Sequence, residues 1–325
     1  MPRVVVFDET GAPEVMRITD EPVKEPAPEE VRIKIEAVGV NPLDQMLRAG
    51  TAPRTARLPH ARLGCEGTGT IDAVGSAVQG FGVGDAVIIT AVPDMDTNGT
   101  YAEYVTMPAA RVIKRPASLD VNSAAALWVT YSTAYGGLIE KAGMRPGDHV
   151  LITAASGGVG LAAIQIASQI GAVPIAVSRH ADKKSDLLAA GAAAVIVTDE
   201  DNVVEGTRQH TNGVGADIIL DSVMGPGLPE LAKAAKLGGT LVTVGQLDPR
   251  PAPFPMNPLT MFRYMSFEHT LDNVVVHRMA AFLAAGLRTG VIRPIIDKVF
   301  SLDDIVQAHH YLGQGHRLGK IVVTV

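Results

Sequence analysis

The sequence lacks several features that define other protein classes. Only one of its 325 residues is cysteine, which excludes both an intramolecular disulfide framework and a cysteine-rich zinc lobe. No apolar run reaches the roughly 18 residues of a membrane-spanning helix, and no charged leader precedes the first strand-like residues. A formal net charge of −6 argues against a basic surface for nucleic acid. We therefore expect a cytoplasmic protein whose partners are small molecules, with no nucleic acid and no membrane.

Two styles of sequence alternate along the chain. Residues 1–117 are rich in Val, Ile, Gly and Pro, with alternating runs such as 31–38 that indicate half-buried strands of a compact β-barrel. Residues 118–266 alternate apolar strands with Ala-rich helices, and residues 267–325 return to the first style after a helix near 274–286. We predict an α/β protein in which a doubly wound parallel-sheet domain, 118–266, is inserted into a barrel domain formed by 1–117 and 267–325.

The elements predicted for the inserted domain follow from its apolar runs. Strands are expected near 150–154, 173–177, 194–198, 217–221 and 240–244, and helices near 159–170, 182–190 and 227–236. A helix over 123–139 is expected to join the two domains.

The strand at 150–154 runs directly into a glycine turn and a helix. Gly157 and Gly160 match the last two places of a G-x-G-x-x-G fingerprint, with Ala155 in the first place. Such a turn lets backbone approach a pyrophosphate at the positive end of a helix, although an ordinary tight turn is the alternative. We predict that a dinucleotide binds here, at Ser156, Gly157, Gly158, Val159 and Gly160.

The next strand, 173–177, has no acidic residue at its tip. A carboxylate there would hydrogen-bond the ribose 2′-hydroxyl of NAD, whereas Ser178, Arg179 and Lys183 offer donors and positive charge to the 2′-phosphate of NADP. The sequence therefore predicts NADPH as cofactor. The alternative is that Arg179 and Lys183 are solvated residues neutralised by Asp182.

Short motifs elsewhere occur in a fixed order and spacing. They are AVGVNPLD at 37–44, GCEGTG at 64–69, GVGDAV at 82–87, GTYAEYV at 99–105, DSVMG at 221–225, GGTLVTVG at 238–245 and GK at 319–320. Together with the glycine turn they resemble the medium-chain dehydrogenase/reductase superfamily, specifically its zinc-free quinone oxidoreductase-like branch. The resemblance runs from end to end. It implies a GroES-like barrel domain, an inserted Rossmann domain, an active-site cleft between them and hydride transfer from NADPH.

The resemblance also bears on metal binding. In zinc-dependent members a cysteine stands where this chain has Asn41, a His-Glu pair where it has Cys65-Glu66, and another cysteine near Val129. Adjacent Cys65 and Glu66 do not supply the three protein ligands of a catalytic zinc, so we expect no metal. Cys65 is then a packed residue, with a reactive thiol as the alternative.

Without a Lewis acid, conjugate reduction is the favoured chemistry, because a quinone or an α,β-unsaturated carbonyl delocalises negative charge onto oxygen. The resemblance places Asn41 beside the nicotinamide, as a catalytic and cofactor-binding residue, with helix capping as the alternative role. Relatives often carry a proton-donating tyrosine at the Met46 position. Its absence leaves Tyr131 as the predicted catalytic donor, with core packing as the alternative and solvent as another acid.

Further site residues are predicted from the resemblance. Thr133, Gly245 and Lys320 are expected at the cofactor, and the substrate pocket is expected to include Met46, Tyr135, Phe254, Met256 and Phe262. Core packing is the alternative for the last three. Arginines in the loop 48–62 are either a solvated face or a site for an anionic substrate tail. An edge strand near 265–271 is expected to pair across a homodimer.

Three functions fit these features. The first is an NADPH-dependent, zinc-independent reductase of quinones or α,β-unsaturated carbonyls. The second is an enoyl-thioester reductase acting on CoA or carrier-bound acyl groups. The third is a protein that binds NADPH as a sensor without turnover.

Overall fold

The computed structural model describes all residues, 1–325. The strands are β1 (Arg3–Phe7), β2 (Met16–Asp20), β3 (Glu30–Val40), β4 (Ala61–Arg62), β5 (Gly67–Val74), β6 (Ala86–Ile89), β7 (Tyr104–Pro108), β8 (Val112–Lys114), β9 (His149–Ile152), β10 (Val173–Ser178), β11 (Ala194–Val197), β12 (Ala216–Asp221), β13 (Ala235–Thr243), β14 (Thr260–Arg263), β15 (Ile296–Ser301) and β16 (Lys320–Thr324). The helices are α1 (Pro42–Ala49), α2 (Met95–Asn98), α3 (Val121–Ala125), α4 (Trp128–Tyr135), α5 (Gly158–Ile170), α6 (Lys184–Ala189), α7 (Val203–His210), α8 (Leu228–Ala232), α9 (Phe267–Thr270), α10 (Asn273–Thr289) and α11 (Ile305–Gln314). None of these helices is long and apolar enough to cross a membrane.

The chain forms two compact units. The first consists of Met1–Val129, Thr270–Val276 and Pro294–Val325, and the second of Thr130–His269 and His277–Arg293. These limits differ from the predicted boundaries at 117 and 267. Residues 118–129 join the first unit because α3 packs against β3 and β5. Residues 277–293 join the second unit, where the Phe282 ring lies 5.2 Å from that of Tyr135 and its carbonyl accepts a hydrogen bond from Gln169.

The first unit is organised around β3. Its main sheet has the order β15-β16-β3-β5-β6-β8, with β7 also paired to β3, and a second sheet has the order β2-β1-β4. Along β3, Val31, Ile33 and Ile35 are buried while the residues between them face outward, as alternation predicts. From Ala37 onward both faces of the strand are buried. The strand therefore delivers the next residue, Asn41, into the interior of the unit.

The second unit contains a parallel sheet with the order β11-β10-β9-β12-β13-β14. Counted within the unit, this is the order 3-2-1-4-5-6, in which strand order reverses between β9 and β12. Helix α5 follows β9 and buries Gly160 through Ala167 on all sides, which explains why its sequence is largely apolar. The predicted doubly wound sheet is confirmed, and β9 to β13 lie close to their expected positions.

Two predicted elements differ from the structure, and one helix was not predicted. The edge strand is β14, at Thr260–Arg263, whereas 265–271 contains α9, whose Glu268 accepts a hydrogen bond from the Met265 backbone. The single helix expected over 123–139 is divided into α3, α4 and a π-helical turn, Gly136–Lys141. Helix α7 was not predicted, although the Asn202 side chain caps it by accepting from two backbone N–H groups.

Candidate active site

Asn41 begins α1 directly after β3 and is only 4% exposed. Its backbone N–H donates to Asp44, the third residue of the helix, at 2.8 Å, and Pro42 occupies the first helical position. Asn41 therefore does have the capping position expected as an alternative role. Its side chain points elsewhere: Nδ2 donates to the Gly39 carbonyl at 3.2 Å and to Glu66 Oε1 at 2.9 Å.

A buried polar cluster joins Asn41 to Glu66 and Lys320. The Lys320 ammonium lies 2.5 Å from Asn41 Oδ1 and 2.5 Å from Glu66 Oε1, and all three residues are at most 5% exposed. The other Glu66 oxygen accepts the Val129 backbone N–H at 2.8 Å. Glycine is required at position 39, because a Cβ there would lie 2.4 Å from Glu66 Oε1. The cluster thus brings together predicted residues Asn41 and Lys320 and adds Glu66.

Asp44 holds this cluster in place through hydrogen bonds, and it was not predicted as a site residue. Its fully buried carboxylate accepts from the Asn41 N–H, from the Gly64 N–H at 3.2 Å and from the Tyr101 hydroxyl at 2.9 Å. Burial raises the pKa of Asp44 to about 6, although the hydrogen bonds from Asn41 and Tyr101 act in the opposite direction. One carboxylate therefore ties together the start of α1, the turn before Cys65 and Tyr101.

The donor atoms here do not fit a catalytic metal. Nowhere in the chain do three or more His, Cys, Asp or Glu side chains cluster as metal ligands would. Burial raises the pKa of the Cys65 thiol well above its usual range, and Asn41 Nδ2 lies 3.4 Å from its sulfur. Cys65 is a packed residue in the core of the first unit, which agrees with the expected packing role.

The glycine turn of the second unit lies where strand order reverses. Gly157 is the N-cap of α5, and Ser156, Gly157, Gly158 and Val159 are partly exposed, whereas Gly160 is buried. The first N–H groups of α5 have no partner within the helix and point out of its positive end. Next to the turn, the Thr153 hydroxyl donates to Asp221 at 2.6 Å and accepts the Ser222 N–H, fixing the ends of β9 and β12.

Two glycines of the turn are present for different reasons. A Cβ at Gly160 would lie 2.5 Å from the Ala155 Cα, so glycine there allows the helix to approach the preceding backbone. Gly157 has an ordinary φ of −77°, and a Cβ there would contact only the Ala154 carbonyl, at 3.3 Å. Neither packing nor backbone conformation requires glycine at 157. Its missing side chain leaves a cradle that the protein does not fill.

Residues at the C-terminal end of β10 differ in their exposure and in whether neighbouring residues already bond their side chains. Arg179 is exposed, and the Lys183 ammonium lies 3.8 Å from Asp182, which is the neutralising contact considered in the sequence. Ser178 is buried and its hydroxyl donates to the His180 carbonyl at 3.1 Å. Asp199, at the end of the neighbouring strand, bonds His180 at 2.6 Å. Arg179 is therefore the positively charged side chain of this group that is most available to a ligand.

Gly245 follows β13 and lies against the loop after β12. A Cβ at this position would be 2.6 Å from the Ser222 carbonyl, so close approach of the two loops requires glycine. The Gly245 carbonyl accepts from Arg263 at 2.7 Å, which fixes the loop to the end of β14.

The structure corrects the role predicted for the tyrosines of α4. Tyr131 is 3% exposed and its hydroxyl donates to Gln165 Oε1 at 2.7 Å, so its proton is already used within the core of the second unit. Tyr135 is also buried, with its ring edge-on to Phe282, and is not a pocket residue. Thr133 is buried on the same helix. Both tyrosines are therefore packed core residues, which was the alternative interpretation of the sequence.

The predicted pocket residues have different surroundings. Phe254 and Met256 are 76% and 89% exposed in the proline-rich loop before β14, which leaves them neither in a pocket nor in the core. Phe262 lies in the edge strand opposite Val242, and Met46 is half-buried in α1 of the other unit. The prolines of this loop therefore do not bury the Phe254 and Met256 side chains.

The arginine loop is paired within the protein. Asp96, only 1% exposed, accepts from Arg54 at 2.7 Å and from Arg57 at 2.9 Å, and these bonds hold the pKa of Asp96 at about 2. Arg62 and His60 both bond Glu21. Arg48 is buried and donates to the Gly11 carbonyl. Arg54, Arg57 and His60 remain about half exposed, as a solvated face would be, but their pairing leaves few free cations for an anionic tail.

Comparison with known proteins agrees with this architecture. Two family models match: an alcohol dehydrogenase GroES-like domain over residues 27–117 and a zinc-binding dehydrogenase domain over residues 190–323. The quinone oxidoreductase of Lama guanicoe is 33% identical over 334 residues, covering 99% of this chain and 97% of that protein.

Solved structures give the same result. Escherichia coli quinone oxidoreductase, complexed with NADPH, matches with a TM-score of 0.91 and 25% identity, covering 99% of this chain and 100% of the other. The CurK enoyl reductase matches with a TM-score of 0.85 and 27% identity, covering 99% of each chain. With its parallel sheet of order 3-2-1-4-5-6 and its end-to-end match, the chain belongs to the quinone oxidoreductase-like branch of the medium-chain dehydrogenase/reductase superfamily.

Proposed function

We propose that this protein is an NADPH-dependent oxidoreductase that reduces quinones or α,β-unsaturated carbonyl compounds without a metal ion. The observation that carries the proposal is the open turn between β9 and α5, where the Gly157 cradle is unfilled by protein and lies at the point of strand-order reversal. The likeness to an Escherichia coli quinone oxidoreductase complexed with NADPH supports the same cofactor.

The residues of the turn fit a dinucleotide. Backbone N–H groups of Gly158, Val159 and Gly160 would bind the pyrophosphate at the positive end of α5, and Ser156 and Gly157 would border it. Exposed Arg179, with Lys183, would bind the 2′-phosphate, since no carboxylate stands at the tip of β10 itself. Thr133, Gly245, Asn41 and Lys320 remain proposed contacts toward the nicotinamide end.

Bound NADPH supplies a hydride to the substrate carbon. Donors of the protein would stabilise the negative charge that develops on the substrate oxygen, as preorganised hydrogen bonds do in acyl-transfer sites. The reduction also consumes a proton. The Tyr131 hydroxyl donates to Gln165, and the Met46 side chain has no acidic proton to give. Solvent water is therefore the proposed acid.

Reduction of enoyl thioesters is the second candidate, supported by the likeness to the CurK enoyl reductase. Its anionic carrier would need free cations, and Arg54 and Arg57 are already paired with Asp96. The pairing therefore favours small, uncharged acceptors.

An absorbance panel tests these functions. NADPH and NADH are each followed at about 340 nm with a benzoquinone, a simple enone and crotonyl-CoA. We expect faster oxidation of NADPH than of NADH with the quinone or the enone, and slower turnover of crotonyl-CoA. Binding of NADPH without consumption by any acceptor would favour the sensor function instead, and failure to bind either nucleotide would contradict the proposal.

Cofactor choice is tested by changing both cations at β10. Arg179→Ala combined with Lys183→Ala should raise the KM for NADPH about tenfold or more, because charge-assisted hydrogen bonds to the 2′-phosphate are lost, and should leave the KM for NADH nearly unchanged. The matched control is Arg250→Ala with Lys233→Ala, which removes two paired surface cations of the same unit. Equal effects on both cofactors would contradict the assignment.

We also propose that two copies associate through β14. This strand pairs only with β13, so its outer edge carries unpaired backbone groups, and exposed Phe254 and Met256 precede it in the chain. An edge of this kind is self-complementary about a two-fold axis. Sedimentation velocity should give a dimer, and Phe262→Pro, which places a proline in the edge strand, should shift the protein toward monomer.

A further inference from the structure

The carboxyl ends of β10 and β11 bring an acidic side chain next to the cation that we propose for the 2′-phosphate. The two strands pair in parallel through Ser178 and Val197, and their pairing continues beyond the strand ends. The Thr198 N–H donates to the Ser178 carbonyl at 2.9 Å, and the Asp199 N–H donates to the Arg179 carbonyl at 3.2 Å. Although β10 ends without a carboxylate, its neighbour therefore supplies one beside Arg179.

His180 holds the carboxylate of Asp199. The ring atom Nδ1 lies 2.6 Å from Asp199 Oδ2, and because an ionised carboxylate only accepts hydrogen bonds, the ring nitrogen carries the hydrogen. The Ser178 hydroxyl donates to the His180 carbonyl and fixes the backbone that carries the ring. The two side chains are 46% and 53% exposed, so the pair lies at the surface, where a ligand can reach it.

The charges at this edge of the sheet include an acid that opposes a phosphate. Arg179 and Lys183 supply two positive charges, and Asp182 and Asp199 supply two negative ones. Asp182 lies 3.8 Å from the Lys183 ammonium and offsets its charge. A 2′-phosphate brings a further charge of about −1.5 to −2 at neutral pH. Asp199 therefore places a negative charge close to the position where NADPH differs from NADH.

The same carboxylate is chemically suited to NADH. An acid at the end of a strand in this fold accepts a hydrogen bond from the ribose 2′-hydroxyl and repels a 2′-phosphate. Asp199 stands one strand further along the sheet, and its Oδ2 already accepts from His180. This bond satisfies one carboxylate oxygen and fixes the direction of the side chain. The carboxylate therefore cannot turn freely toward a ribose.

We infer that Asp199 is a second determinant of cofactor choice, an acid able to select NADH, and that His180 is the positioning residue that keeps it away from the ligand. The pair thereby favours NADPH over NADH. This inference rests on the proposed NADPH-dependent function and adds two residues to it. The part of the ligand that they distinguish is the adenosine ribose, which carries either a 2′-phosphate or a 2′-hydroxyl.

His180→Phe tests the positioning role, because phenylalanine keeps a ring at this place and cannot hold the carboxylate. We expect the Kd for NADPH to rise about fivefold and the Kd for NADH to fall about twofold, since the freed acid repels a phosphate and accepts from a hydroxyl. Fluorescence titration with each nucleotide gives the ratio of the two Kd values, which should change about tenfold. A general disturbance of the fold would move both Kd values in the same direction.

Asp199→Asn tests the acid itself. Loss of its negative charge should lower the Kd for NADPH about threefold and leave the Kd for NADH within about twofold. The double variant His180→Phe with Asp199→Asn should show the same Kd ratio as Asp199→Asn alone, because His180 acts only through Asp199. Both side chains are about half exposed, so these variants should fold.

Matched controls come from the first unit, where His310 and Glu14 form another surface pair at 2.6 Å, with exposed fractions of 49% and 63%. His310→Phe and Glu14→Gln should leave both Kd values unchanged. The inference is overturned if folded His180→Phe keeps the native Kd ratio within about twofold, weakens both cofactors alike, or is not corrected by Asp199→Asn. An unchanged Kd for NADPH in Asp199→Asn would also overturn it. A native protein that binds neither nucleotide, or binds NADH as tightly as NADPH, would instead refute the proposed function.

Discussion

The polar cluster of the first unit and the glycine turn of the second are organised for ligand binding in opposite ways. At Asn41, Glu66 and Asp44, side chains from distant segments have used nearly all of their hydrogen-bonding capacity on one another. At the β9–α5 turn, the first N–H groups of α5 have no partner within the helix, and the Gly157 cradle is open. The first region is organised before any ligand arrives, and the second is left incomplete.

This difference teaches where specificity and affinity are expected to originate. Unpaired backbone donors at a helix end bind any pyrophosphate and give affinity without reading the rest of the ligand. A fully bonded cluster cannot rearrange cheaply, because every displaced bond leaves a buried group unsatisfied. It therefore holds its side chains in one arrangement, which suits the selection of a single reacting geometry.

The largest expected effect separates the two glycines of the turn. Gly160→Val should destabilise the fold by about 3 kcal/mol or more, because the side chain would overlap the Ala155 backbone. Gly157→Val meets only one carbonyl, so it should fold with nearly native Tm and raise the NADPH Kd at least about a hundredfold by filling the cradle. Thermal unfolding and fluorescence titration measure the two quantities. Normal NADPH binding by folded Gly157→Val would show that the cradle does not hold the pyrophosphate.

The second prediction concerns the pH dependence that the cluster imposes on stability. The pKa of Asp44 is raised from 3.8 to about 6 in the folded chain, so the folded state holds this proton more tightly than the unfolded chain. The contribution favours folding below about pH 4 and is lost as pH rises through about 6. The free energy of unfolding of the native protein minus that of Asp44→Asn should therefore fall by on the order of 3 kcal/mol between about pH 4 and 7.

Urea denaturation at several pH values gives this difference directly, since most other titrating groups cancel between the two proteins. Glu21→Gln, which changes a carboxylate bonded to Arg62 and His60 on the same unit, serves as the control and should show the opposite sign, because the pKa of Glu21 is lowered. A difference that stays constant with pH would mean that Asp44 does not titrate in this range.

The smallest expected effect is on Tyr131, which belongs to neither region. Tyr131→Phe removes the bond to Gln165 and should cost about 1 kcal/mol of stability, while kcat and KM stay within about twofold. Steady-state kinetics beside thermal unfolding checks this. A tenfold fall in kcat with an unchanged fold would restore the catalytic role expected from the sequence.

The second unit was predictable because its signals are local. An apolar strand, a glycine turn and an apolar helix are contiguous between residues 149 and 170, and their order fixes their geometry. Errors arose where the local signal was weak. Helix α7 is short and polar, and the edge strand β14 has only four residues after a run of prolines.

The polar cluster could be predicted only in part. Motif order suggested Asn41 and Lys320, but nothing in the sequence connects Lys320 to Glu66, 254 positions apart. Their contact depends on the pairing of β16 with β3, a long-range feature that periodicity does not encode. Asp44 did carry a local signal, since an acid three residues after an N-cap asparagine is typical of a capping box.

The position of Lys320 in β16 has a consequence for synthesis on the ribosome. Glu66 emerges 254 residues before Lys320, and its carboxylate is without this counter-ion until residue 320 has been translated. A nascent or prematurely terminated chain that stops before residue 320 cannot complete the cluster, even if the nucleotide-binding unit has already folded. Because a buried carboxylate that lacks its ion-pair partner is strongly destabilising, the packing around Glu66 depends on a residue that is synthesised much later.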